Sequence, residues 1–131
     1  MKTITKTLTN GEIYQMAIDI NKSFSNENTE EIYFPAAVNY CIQKNKNTLL
    51  AIAEKIEESR ISIIQHYGSI GEDGNFKIEE DNIEKANEEL FDLLNVTDEI
   101  KILLINIEAL GNINLSTQQM QSIMFMIEDV E

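Results

Sequence analysis

The sequence predicts a mainly α-helical α+β fold: one long central helix, two to three shorter helices and a two-stranded sheet. Three observations carry this expectation. From Pro35 to Tyr67 no glycine or second proline interrupts a helical apolar pattern. Helix-start signals recur at Thr9-Asn10-Gly11-Glu12 and at Leu115-Ser116. Near the amino terminus Thr3, Thr5 and Thr7 alternate with Ile4, Lys6 and Leu8, the two-residue period of a strand.

Taken in order, the strand leads into a capping box. The Thr9 hydroxyl can accept a free backbone N–H while the Glu12 carboxylate returns to the N–H of Thr9. Ile13, Met16, Ala17, Ile20 and Phe24 follow at helical spacing, so a first helix runs to about residue 24. Ser25-Asn26-Glu27-Asn28-Thr29 reads as a polar loop. Pro35 suits the first turn of the next helix, where its missing N–H costs nothing, and Gly68 suits its stop. Within it, Val38, Ile42, Asn45, Leu49, Ile52, Ile56, Ser59 and Ile63 form a heptad-like seam.

Gly68, Gly71 and Gly74 mark a flexible turn region, with Asp73-Gly74 a tight-turn pair. Glu79 to Leu94 reads as a further helix with Ile83, Ala86, Leu90, Phe91 and Leu94 inward. Residues 98–107 are ambiguous. Thr97-Asp98-Glu99 resembles a helix start and Gly111 a helix stop, but the Ile-rich run from Ile100 to Ile105 favours a strand beside the amino-terminal one. Ser116 then caps a last helix with Met120, Ile123, Met124 and Ile127 inward.

A length of 131 residues fits one domain, 1–131, with a single core. A helix from 35 to 67 would be roughly 50 Å long, against a diameter of about 36 Å for a compact chain of this size. One end must project, bend near Asn45-Lys46-Asn47, or be covered by another subunit. The seam stays apolar along most of its length, which favours a homo-oligomer, most simply a dimer, with Asn45 and Ser59 setting its register.

The charge is lopsided, with 23 acids against 10 bases and a net of -13. Direct binding to nucleic acid or to an anionic membrane is disfavoured, since both are polyanions. Residues 72–99 alone hold 11 acids and 2 bases. Glu80, Glu84, Glu88 and Asp92 stand four apart and line one helical face, either as a solvated surface or as carboxylates standing in for phosphates. The long helix has the opposite character. Lys44, Asn45 and Lys46 lie near its start, and Arg60 and Tyr67 share a face further along, one able to fork onto a phosphate and the other to stack on a base. The competing reading pairs Arg60 with Glu57 or Glu58.

Tests for catalytic chemistry fail. The single histidine, His66, rules out a multi-histidine zinc site and leaves a Ser/His/Asp arrangement without support. The three glycines of the turn miss the spacing of phosphate loops. A calcium loop with Gly74 at its sixth position would put Ser69 and Gly71 where carboxylates are required. Cys41, the one cysteine, excludes an intrachain disulfide and sits between Val38 and Ile42 as a buried thiol would. No cofactor or metal is expected. Without an apolar leader or a run of transmembrane length, the chain is expected in the cytosol.

Leu8-Thr9-Asn10-Gly11-Glu12-Ile13 and Ile42-Gln43-Lys44-Asn45 resemble an uncharacterised family of small proteins from tailed phages and prophages, largely of Gram-positive bacteria. So do Arg60, Tyr67-Gly68, Asp73-Gly74-Asn75, Leu115-Ser116 and Phe125-Met126-Ile127. The resemblance covers most of the chain, is loose before Pro35 and over 95–107, and implies a phage origin and the bacterial host cytosol rather than a mechanism. The expectation is a non-enzymatic anti-defence protein that binds stoichiometrically. In one form, an oligomer sequesters a nucleotide immune signal through Lys44, Asn45, Lys46, Arg60 and Tyr67. In another, the face of Glu80, Glu84, Glu88 and Asp92 mimics DNA and blocks a basic host defence protein. A virion assembly accessory is the alternative from a different class.

Overall fold

Residues 2–24 and 32–128 are described by a computed structural model. The polar loop expected at 25–29 lies outside the described residues.

Strand β1 (Thr3–Thr9) runs straight into helix α1 (Asn10–Ser23). The capping box forms as read: Thr9 Oγ1 accepts from the Glu12 N–H at 3.1 Å, and the Thr9 N–H donates to Glu12 Oε1 at 3.1 Å. Ile13, Ala17, Ile20 and Phe24 are buried, as their spacing predicts. Helix α2 spans Ala36–Tyr67 without a break through Asn45-Lys46-Asn47. Pro35 stands just outside it, at the cap with ψ 146°, rather than within the first turn.

The ambiguous tract is divided between both readings. Thr97–Leu103 is a strand, here β4, antiparallel to β1, with Ile4 opposite Ile102 and Leu8 opposite Asp98. Ile100 and Ile102 are buried on one face while Thr3, Thr5 and Thr7 lie exposed on the other. The supposed helix start at Thr97-Asp98-Glu99 is therefore strand, because these residues ladder with Thr9, Leu8 and Thr7. Gly111 does end a helical turn, but only a 3-10 turn over Ile107–Leu110. Between them β5 (Ile105–Asn106) pairs in parallel with β6 (Ile127–Glu128) at the end of the described chain.

The glycine region folds into a hairpin that the sequence reading took only as a turn. Its strands are β2 (Gly68–Ile70) and β3 (Phe76–Ile78), and Gly74 adopts φ 81° at the tip. Gly68 is demanded by crowding: a Cβ there would lie 2.8 Å from the Ile64 carbonyl oxygen and 3.0 Å from that of Lys77. Helix α3 (Glu80–Asn95) follows, and helix α4 (Thr117–Ile123) is capped by Ser116 as expected. Gln119 completes that cap through Oε1 and uses Nε2 to donate to the Ser23 carbonyl at 3.2 Å, fastening α4 to the end of α1. Met124 and Ile127 leave the predicted helix: the first is exposed on a 3-10 turn, the second half-buried in β6.

One core joins α1, α2, β4 and α4, with Ile13, Ile20, Ile42, Leu49, Ile102 and Ile123 among its fully buried side chains. Cys41 lies in it, its thiol pushed up by burial. The α2 seam is spent here. Val38, Ile42, Asn45, Leu49 and Ile56 all face the chain's own interior, Ser59 is exposed and Ile63 half-buried. The expectation of an oligomer joined along this seam therefore loses its surface. The fold handles the overlong helix by itself: beyond Ile56, α3 and the β2–β3 hairpin pack along the outlying part of α2.

Asn45 fixes how α2 meets the sheet. At 1% exposure, its amide Nδ2 donates to the Leu103 carbonyl at 2.8 Å and its Oδ1 accepts the Leu103 N–H at 2.9 Å. The same Nδ2 lies 3.4 Å from Met126 Sδ. Asn45→Ala would strand both backbone groups of Leu103 and should destabilise the fold by about 2–4 kcal/mol in urea denaturation. Gly68→Ala should cost about 1–3 kcal/mol in the same assay, because backbone must shift to admit the methyl.

Candidate functional site

Helix α3 is laid across the molecule as a strap. At its start, Asn82 Nδ2 donates to the Tyr67 carbonyl at 3.4 Å. At its end, Asn10 Nδ2 donates to the Leu93 carbonyl at 3.0 Å and the Asn10 N–H to that of Val96 at 2.8 Å. The first turn of α1 thereby satisfies carbonyls that the end of α3 leaves open, and positive and negative helix ends meet. Glu80 and Asp81 in the first turn of α3 are favourably placed on its own dipole.

Between these ties α3 buries little. Ala86 is its one fully buried residue, with Asn82, Leu90 and Leu93 half-buried beside it. Ile83, Phe91 and Leu94, expected inward, are instead 45%, 68% and 43% exposed. The reason is geometric. At 3.6 residues per turn, the apolar positions from Leu93 round to Phe91 span roughly 160° of the helix, while one neighbouring helix covers only roughly 100°. The small Ala86 sets the point of closest approach, and the surplus apolar side chains are left outside.

The acidic row runs alongside them. Glu80, Glu84, Glu88 and Asp92 are all exposed. The first three, with Ile83, Asn87 and Phe91, line a shallow open depression of ≈ 600 Å³. Among the described residues neither side-chain ion pair, Lys2–Glu128 or Arg60–Glu57, draws on this row.

The five residues expected to hold a nucleotide are not brought together. Lys44 is exposed, yet Asn45 is buried in its bond to Leu103. Lys46 is half-buried and donates through Nζ to the Phe24 carbonyl at 3.2 Å, closing the end of α1. Tyr67 stands about 34 Å along the helix from Lys44 at 1.5 Å per residue. Arg60 forks onto Glu57, with Nε at 2.9 Å and Nη2 at 2.5 Å, and Tyr14 donates to the same carboxylate at 3.1 Å. The simple pairing of Arg60 with its own surface is what the structure contains. Tyr67 is raised above its ordinary pKa by burial and then by the Glu89 carboxylate, with Glu88 adding to the effect. An anion at Tyr67 would meet these carboxylates.

A second feature was not anticipated. Tyr14, Ile56, Arg60, Leu90, Leu93 and Leu94 line an apolar cleft of ≈ 160 Å³ where α1, α2 and α3 meet. Nothing in the spacing of these residues announces it, since it depends on how α3 crosses α2.

No protein family, characterised protein or solved structure matches the chain. No described helix is long and apolar enough to cross a membrane.

The Glu57 carboxyl is held below the usual carboxylate range, chiefly by the Arg60 hydrogen bond and further by Tyr14. Its contribution to stability is therefore full above the ordinary carboxylate pKa and lost as pH falls through the depressed value. Arg60→Met should move the Glu57 midpoint up towards the usual range, read by carboxyl carbon NMR. An unchanged midpoint would show that Arg60 does not set it.

Proposed function

We propose that this chain is a non-enzymatic binding protein that acts stoichiometrically, presenting the acidic face of α3 to a basic protein partner. One observation carries the reading: Glu80, Glu84, Glu88 and Asp92 stand exposed on one side of a helix, with no ion pair among the described residues neutralising them. Charge density supports it. Six acids and one lysine along the 16 residues of α3 amount to about one carboxylate per 4 Å, close to the ~3.4 Å per phosphate of a single nucleic-acid strand. With the resemblance to phage proteins, the partner class becomes a host nucleic-acid-binding defence protein whose basic groove the carboxylate row fills. Sequestration of a nucleotide in an oligomer has less support, because Asn45, Lys46 and Arg60 are engaged within the chain.

The test is phage plating on bacteria that carry, one at a time, a panel of nucleic-acid-binding defence systems. Expression of the chain should restore plating against at least one of them. Glu84→Lys with Glu88→Lys should cut that restoration at least about ten-fold, whereas the equal charge change Glu54→Lys with Glu58→Lys on α2 should not. Full restoration by the α3 variant, or none by the natural chain across the panel, would sink the proposal.

A further inference from the structure

The acidic row of α3 is not a bare row of charge. Phe91, 68% exposed, and Ile83 stand on the same outer side, with Leu94 one turn beyond Phe91. Ile83, Phe91 and Leu94 succeed one another by eight and three residues, so they span roughly 16 Å of the axis, with Leu94 roughly 20° and Phe91 roughly 80° round from Ile83 towards the acids. Going round the helix from Ala86, Ile83 and Leu94 come first, Phe91 lies between Glu80 and Glu84, and Glu88 and Asp92 follow. A surface that needed only to imitate phosphates would have no use for an exposed phenyl ring. A Phe left in water forgoes the gain of burial, so this arrangement has a cost unless a partner covers it.

We infer that the outer face of α3 is a docking surface for a basic amphipathic helix, whose apolar stripe packs on Ile83, Phe91 and Leu94 while its Lys and Arg side chains meet Glu80, Glu84, Glu88 and Asp92. The inference rests on the binding role assigned above to this face and specifies the element that the face captures.

Charge complementarity selects this occupant. A second copy of the chain, meeting face to face, would bring the acidic row against itself, and the chain carries a net charge of -13. An anionic membrane is repelled for the same reason. The shape selects a helix. The apolar side chains and the acids lie next to one another along the length of α3, so a rod with its own apolar and basic bands side by side can meet both. Loops or a flat basic surface would neutralise the acids and leave Phe91 wet. Helical readers of nucleic acid expose such a basic helix for the major groove, and covering it removes the element that touches the bases.

The experiment measures binding of the full chain to two synthetic peptides of identical composition, at low and at high salt. One is a helix-forming Leu/Lys peptide with segregated apolar and basic faces. The other is its scrambled isomer, equal in charge but without an apolar face. The natural chain should prefer the amphipathic peptide by at least about ten-fold. Phe91→Ser, at an exposed position, should remove most of that preference by weakening the amphipathic complex while leaving affinity for the scrambled peptide unchanged. Glu84→Lys with Glu88→Lys should weaken both complexes, and Glu54→Lys with Glu58→Lys should leave the preference intact. Equal binding of the two peptides, or a preference untouched by Phe91→Ser, overturns the amphipathic-helix inference while the acidic face keeps its role. Binding of both peptides unaltered by the Glu84 and Glu88 changes overturns the role of the face itself, and the inference with it.

Discussion

The architecture depends on one side-chain amide. Asn45 meets both backbone groups of Leu103, so a helix side chain does what a neighbouring strand would do at the end of β4. Asn45 is almost fully buried, so its amide has no water as a substitute, which makes the pair directional and costly to lose. It sets where along its length α2 crosses the sheet. Once Asn45 is fixed there, the 22 residues from Asn45 to Tyr67 reach about 33 Å, past the core that ends at Ile56. The hairpin and α3 are consequences of that overhang: they return along α2, and the strap they form ends on Asn10, back beside the sheet.

The same layout sorts the charges. Two of the bases on α2 are turned to structural ends: Lys46 closes α1 and Arg60 organises Glu57 and Tyr14. Glu80, Glu84, Glu88 and Asp92 enter neither ion pair among the described residues, so negative charge is concentrated on one side rather than spread evenly. A net charge read from composition is thus a weaker guide than knowing which charges the fold has already used.

Much of the fold was legible in the chain because its signals are local. The Thr9–Glu12 and Ser116 caps, the alternation of β1 and the uninterrupted pattern from Ala36 to Tyr67 each rest on neighbours within a few residues. What was missed is non-local. The β2–β3 strands have three residues each, too few to show a period, and β5–β6 join segments 22 positions apart. The acidic row was legible from its four-residue spacing, but its apolar companion was not, because Ile83, Phe91 and Leu94 look like core until the width of the neighbouring helix is known. Asn45 was singled out as a polar residue that sets register. The register is that of α2 against its own sheet, and periodicity cannot tell a seam that faces a core from one that faces a partner.

The shallow seating of α3 has a bearing on how such a protein changes over generations. With Ala86 as its one fully buried residue, the helix keeps its place by inward contacts and by the asparagines at its ends. Most substitutions on the outward side then shift stability by only about 0.5 kcal/mol or less. The sequence on that side can therefore be rewritten repeatedly while the remainder of the molecule stays as it is, so the outer face of α3 is free to diverge faster than the scaffold beneath it.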